Sequence, residues 1–157
     1  MLRLLAVAAA VAVVGSGCGG SAGTSDDSTR DDAGRITESG RVGTQALRVG
    51  DCFVQPDGAG SVLTVTGVPC TQPHDAQVIA RIAMPDADAY PGVDAVTDAS
   101  STGCIEAAGT VPEEKLRSGV GLSGYAPEER SWNAGDRDIV CFVEATGDRL
   151  LEGDVFS

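Results

Sequence analysis

Apolar residues fall into three regimes along the chain. Leu4 to Val14 is apolar throughout, Gly19 to about Gly43 carries few apolar residues, and beyond Gln45 they return in short periodic segments. Leu47 to Val54 predicts a short first strand around the turn-forming Gly50-Asp51, and the Pro-, Asp- and Gly-rich stretch 55–60 predicts a loop. Ser61 to Val68 sets Val62, Thr64, Thr66 and Val68 against Leu63 and Val65, a β-branched alternation that predicts a strand. Ala76 to Met84, with Val78, Ile79 and Ile82, predicts a second long strand that Pro85 stops.

Between Pro91 and about Thr110 the spacing changes. Val96, Ala99, Gly103, Cys104, Ala107 and Ala108 recur at three- and four-residue intervals, which predicts the main helix with a narrow stripe of small residues. A short turn at Glu113–Arg117 and a weak strand at Val120–Ala126 precede the strongest late strand, Asp138–Ala145. Leu150-Leu151 and Val155-Phe156 predict a last short strand. Strands, one helix, then strands define an α+β fold, a small mostly antiparallel sheet with one main helix packed on it.

The first apolar run is eleven residues long. A bilayer-spanning helix needs about 20. Arg3 precedes the run, and Gly15-Ser16-Gly17 then Cys18 follow it, which reads as a lipoprotein signal peptide over residues 1–17 with lipid attached to Cys18. The pattern is similar to a bacterial lipobox, with Gly15 where an aliphatic residue is usual. The competing reading is an ordinary secretory signal with an incidental cysteine. Acyl chains contribute about 0.8 kcal/mol per buried methylene. The expected location is therefore the extracytoplasmic face of the cell membrane, with the membrane itself as a partner through Cys18. Residues 18–44 then read as the lipidated cysteine and a flexible acidic tether, because hydrophobicity in 21–34 is too low to order a chain. The folded domain is expected at 45–157.

Net charge is −12, with ten Arg and one Lys. Without a basic patch to neutralise phosphates, nucleic acid is excluded as a partner. Four cysteines remain after Cys18, an even count that implies two disulfides in an exported chain. Of three pairings, Cys52–Cys70 is favoured because it bridges neighbouring strands, and Cys104–Cys141 because it ties the helix to the late strand. Neither the Cys-x-x-Cys redox spacing nor a paired zinc spacing occurs.

His74 is the only histidine. A triad would need an activated Ser or a free Cys beside it, and no Gly-x-Ser-x-Gly turn exists. Asp75 points to the opposite side of an extended segment. No catalytic residue, metal ligand or cofactor is expected, and Pro69 and Pro73 make the Val68–Val78 stretch a stiff corner. The expected binding surface comprises Trp132, Arg137, His74, Gln72 and Tyr90. Trp132 with Arg137 either forms an exposed platform or caps the small core above a tight turn at Gly135. Gln72, Asp75 and Gln77 are expected on the outward side of the corner. A core this small is expected to leave no sizeable pocket.

Several of these segments together resemble the septum-formation family of actinobacterial extracytoplasmic domains. The resemblance rests on Val49-Gly50-Asp51-Cys52-Phe53, then Val68 to Val78. Tyr90-Pro91-Gly92, Cys104, Trp132, Gly135-Asp136-Arg137 and Cys141 follow in order. Two positions depart from it: Gln77 stands where Glu is usual, and Gly153-Asp154 stands where Gly-Ser is usual. The resemblance implies a non-catalytic envelope domain linked to cell division, with divisome or other envelope proteins, or cell-wall polymer, as partners. The alternatives are a small-ligand or metal-binding extracytoplasmic lipoprotein and a cell-wall hydrolase.

Overall fold

A computed structural model describes residues 25–58, 61–116 and 119–157. The proposed signal peptide and Cys18 lie outside the described residues. The strands are β1 (Thr29–Arg30), β2 (Ile36–Glu38), β3 (Gly40–Gly43), β4 (Cys52–Val54), β5 (Thr64–Val68), β6 (Ala76–Ala83), β7 (Val120–Tyr125) and β8 (Asp138–Ala145). The helices are α1 (Val93–Ala108) and the short α2 (Glu129–Trp132). Six strands form one sheet in the order β3-β5-β4-β6-β8-β7, and β1 and β2 pair separately. Every pairing is antiparallel. The α+β expectation holds.

The sheet separates two apolar clusters. One gathers Ile36, Val42, Leu47, Phe53, Val65, Val78, Val140 and Phe142. Tyr125 packs against it, with ring centroids 4.8 Å from Phe142 and 6.1 Å from Phe53. The other lies under α1 and gathers Ile79, Cys104, Val111, Ile139, Cys141, Val143 and Val155. A bulge between Val78 and Ala80 links the two. Without it, strict alternation would carry Ile79 and Ala80 to opposite faces; with it, Ile79, Ala80, Ile82 and Met84 all join the helix-side cluster.

The small-residue stripe works as a close-approach surface. A side chain on Gly103 would collide with Ile82 of β6, and a Cβ on Gly124 of β7 would sit 3.4 Å from Cys104 Sγ. Both expected disulfides are present, Cys52–Cys70 and Cys104–Cys141. The second joins α1 to β8.

Three expectations need correction. The segment 25–44 is not a tether: β3 hydrogen-bonds to β5, and Val42 and Ile36 are buried in the first cluster. Mean hydropathy hid two facts, that its few apolar residues are well placed and that Asp26–Arg30 and Asp31–Arg35 close as ion pairs within it. Gly67 of β5 makes room for it, since a Cβ there would lie 2.7 Å from Ile36 Cδ1 and 2.8 Å from Val42 Cγ2. The expected last strand is instead a tail, held by the single bridge between His74 and Leu151 and by buried Val155. The first strand is also shorter than expected, because Gly50, at φ +92°, turns the chain just before β4.

A candidate interaction groove

The hairpin of β1 and β2 leans against the Gly50-Asp51 turn through Arg30. Arg30 Nη1 and Nη2 donate to Asp51 Oδ1 and Oδ2 at 2.6 and 2.8 Å, Nε donates to Asp26 Oδ2 at 2.7 Å, and Nη1 also donates to the Gly34 carbonyl at 2.7 Å. The backbone N–H of Arg48 donates to Asp51 Oδ2 at 2.8 Å. The pair is nearly enclosed, with side-chain exposures of 9% for Arg30 and 3% for Asp51. Two carboxylates hold the guanidinium firmly in its charged form. Burial pulls the Asp26 carboxyl upward, but bonds from Ser28 and Arg30 outweigh it and leave Asp26 below the usual carboxylate range.

Between this hairpin, the Gly50-Asp51 turn, the Val68–Thr71 corner and the C-terminal tail lies a groove of about 790 Å³. Ile36, Val68 and Pro69 contribute apolar surface, Cys70 brings the disulfide to its wall, and Val49 stands 55% exposed at its rim. The expectation that a small core leaves no sizeable cavity fails, because the groove is built outside the core. Its acids are committed internally: Asp51 to Arg30, Asp31 to Arg35 and Asp154 to Gln77. A second, smaller cavity of about 340 Å³ sits beside Tyr125, Glu128, Asp136 and Asp138. The Tyr125 phenol is pushed up to about 12 by burial, with Glu144 and Asp75 adding to the effect.

Most residues expected at a binding surface are placed otherwise. His74 is fully buried, and its Nδ1 lies 2.8 Å from the Gln72 carbonyl. A carbonyl only accepts, so Nδ1 carries the hydrogen and the ring staples the corner. Trp132 is buried too; its Nε1 donates to the Ala87 carbonyl at 3.1 Å. Arg137 lies over the indole face at 3.9 Å and donates to the carbonyls of Trp132 and Ala87. Tyr90 meets Trp132 edge-on at 5.9 Å and donates to the Pro127 carbonyl. These three side chains form a stack that pins the loop before α1. Gln72 alone is exposed as expected. Among the described residues no cluster of His, Cys, Asp and Glu is arranged to hold a metal, and no helix is long and apolar enough to cross a membrane.

Gln77 is a further correction, since it is buried rather than outward. Its amide donates to Asp154 Oδ1 at 2.9 Å and its carbonyl accepts from Val155 N–H at 2.7 Å, so it holds the tail that closes one side of the groove. The two departures from the family pattern are therefore hydrogen-bond partners. A Glu–Ser pair would let a hydroxyl donate to a carboxylate; here an amide donates to a carboxylate instead. Gln77→Glu alone should cost about 2–3 kcal/mol at neutral pH by setting a buried acid against the half-buried Asp154. The new acid's folded pKa lies above its unfolded value, so the loss appears as pH rises past about 4.3 and fades below it. Adding Asp154→Ser should restore most of the stability in urea titrations. Equal stability of the single and double variants would contradict this pairing.

Fold and groove together define a disulfide-braced α+β domain with a surface cleft of about 790 Å³ between an N-terminal hairpin and a C-terminal tail. The chain belongs to the septum-formation family, whose model matches residues 17–141. The match begins well before residue 45, in keeping with β1 to β3 being part of the domain. No curated protein and no solved structure matches the chain. Septum formation suggests a role related to cell division at the envelope. The family is not a known enzyme family.

Proposed function

We propose that the chain is a non-catalytic envelope module, lipid-anchored through Cys18 on the extracytoplasmic face of the cell membrane. Its groove takes an apolar segment of a partner protein of the division machinery. The observation that carries this reading is convergence. Val49-Gly50-Asp51, Val68-Pro69-Cys70-Thr71 and Gly153-Asp154 lie far apart in sequence, yet all line one groove. A small-molecule site presents a few convergent polar groups with free hydrogen-bonding capacity. Here the acids are spent on the protein itself, so the groove offers apolar surface edged by the exposed Arg35 and Arg48, suited to a side chain or strand from another protein.

Crosslinking in live cells tests it. A photoreactive residue at Thr71 should give adducts with one or a few envelope proteins. Val49→Asp changes an exposed side chain, so it should leave folding intact and cut those adducts at least tenfold. Cys18→Ser should move the protein out of the membrane fraction and lower the adduct yield. Adducts unaffected by Val49→Asp would overturn the groove as the contact surface. An unacylated Cys18 in the membrane-bound protein would overturn the anchor.

A further inference from the structure

Each edge of the six-stranded sheet ends differently. On β3, the backbone of Asp27 and Gly43 exchanges bonds with Arg41 and Ser25, so preceding chain covers that edge. At the other end, β7 has β8 on one side only. Alternation in an antiparallel ladder says which groups face outward. Thr146 N–H donates to the Gly119 carbonyl, so Gly119, Gly121, Ser123 and Tyr125 direct their backbone groups toward β8. Val120, Leu122 and Gly124 then turn theirs to the open edge. Among the described residues no other backbone group bonds them.

Exposed edges are normally protected by charge, proline or a bulge. The β7 sequence, Val-Gly-Leu-Ser-Gly-Tyr, has no charge and no proline, and its pairing with β8 is unbroken. Leu122 is 38% exposed on the helix side of the sheet, and Ile105 of α1 is 66% exposed. Gly103 faces Ile82 of β6. Ile105 lies on the opposite flank of Cys104, since successive residues turn by about 100°, and so overhangs the β7 edge.

We infer that β7 is a self-association edge, at which a second copy of this chain adds its own β7 antiparallel across a two-fold axis at Leu122. In this register Leu122 faces the partner's Leu122, and Val120 faces the partner's Gly124, each pair exchanging two backbone bonds. The geometry has room for it. α1 lies over β6, β8 and β7, so across the new seam the two α1 helices sit about three strand spacings, or ~14 Å, apart. Packed helices need only about 8–10 Å; the remaining gap fits Ile105 and Leu122 from both copies. The paired positions Val120, Leu122 and Gly124 carry no charge, so the strand offers no local repulsion to its own copy. The chain's overall acidity opposes association but is screened beyond about 8 Å at physiological salt. The contact is smaller than the ~800 Å² per partner of a standard interface, so a reversible dimer is expected, with a dissociation constant on the order of 10 µM. The inference is independent of the groove, which lies at the other end of the sheet.

The test uses the full chain in mild nonionic detergent at physiological salt. Sedimentation across 1–200 µM should show a monomer–dimer equilibrium, and Leu122→Lys, at an exposed position, should shift the dissociation constant at least tenfold while leaving circular dichroism unchanged. Single cysteines read the register. Directly opposed residues in a bonded pair have Cα atoms about 5.5 Å apart, within disulfide reach. Leu122→Cys should therefore crosslink the two copies under mild oxidation, whereas Ser123→Cys, offset by two residues from its symmetry mate and on the other face, should crosslink at least tenfold less. A monomer throughout the concentration range, or equal crosslinking at both positions, overturns the proposal. Crosslinking of Leu122→Cys in cells to a different protein, without homodimer, overturns it as well.

Discussion

Replacing Arg30 with Ala is expected to lower folding stability by about 3 kcal/mol, the low end of the range for breaking a buried ion pair because the guanidinium keeps a small exposed edge. The loss comes less from the attraction removed than from what remains. Asp51 would stay nearly enclosed with only the Arg48 N–H as donor, and Asp26 would keep only its bonds from Ser28. The Gly34 carbonyl would lose its donor too. Urea titration followed by circular dichroism measures the change. Arg30→Met with Asp51→Leu should recover much of it, since removing both charges leaves no orphan. The acid side adds a second readout. Asp26 is held below its ordinary value in the fold, so its share of stability is present above the unfolded pKa near 3.9 and is lost as pH falls through the folded value. Arg30→Ala should flatten that acid limb. A loss under 1 kcal/mol would mean that segment 25–44 is held by the burial of Ile36 and Val42 without help from the ion pair.

That ion pair also marks where the sequence stopped being legible. The long strands β5, β6 and β8, the helix α1 and the disulfide partners were readable because each rests on a local period or on cysteine parity. Arg30 and Asp51 are twenty-one positions apart, and no local pattern distinguishes a solvated arginine from one forked into a buried carboxylate. The same limit explains Gln77, whose partner Asp154 lies in the tail, and Trp132, whose four-residue helix is too short to show a period. The groove was invisible for a related reason. Its walls come from four separate segments, and one of them was read as tether because composition averages over the two residues, Ile36 and Val42, that dock it. The Cys70–His74 corner was legible as a stiff turn, and its chemistry proved structural on both counts: Cys70 is oxidised and His74 bonds backbone.

The functional reading depends on that stiffness. A docking groove between a hairpin and a tail keeps its shape only if both are held against the sheet. Arg30 holds the hairpin, while Gln77 and the His74–Leu151 bridge hold the tail. Variants that loosen either should weaken partner binding without touching a groove side chain, an effect of lost pre-organisation.

Removing the Cys104–Cys141 bridge as the double alanine variant is expected to cost about 4 kcal/mol on loop entropy, for a sequence separation of 37 residues. The Cys52–Cys70 bridge spans 18 and should cost about 3. The difference in kind is larger than the difference in number. Cys52 and Cys70 sit where β4 and β5 already pair, Cys52 opposite Val68, so the ladder survives reduction. α1 has no such second hold. Of its sixteen residues only Val96 and Cys104 are fully buried, and the glycine at 103 and the alanines beside it add little apolar area. The disulfide therefore substitutes for a hydrophobic stripe that the helix lacks. Hydrogen exchange distinguishes the two bridges. Without Cys104–Cys141, α1 amides should exchange at least a hundredfold faster while β6 and β8 stay comparatively protected. Without Cys52–Cys70, protection should fall across the sheet and helix together. Uniform loss of protection in both variants would show that α1 docks as firmly by packing as by its sulfur bridge.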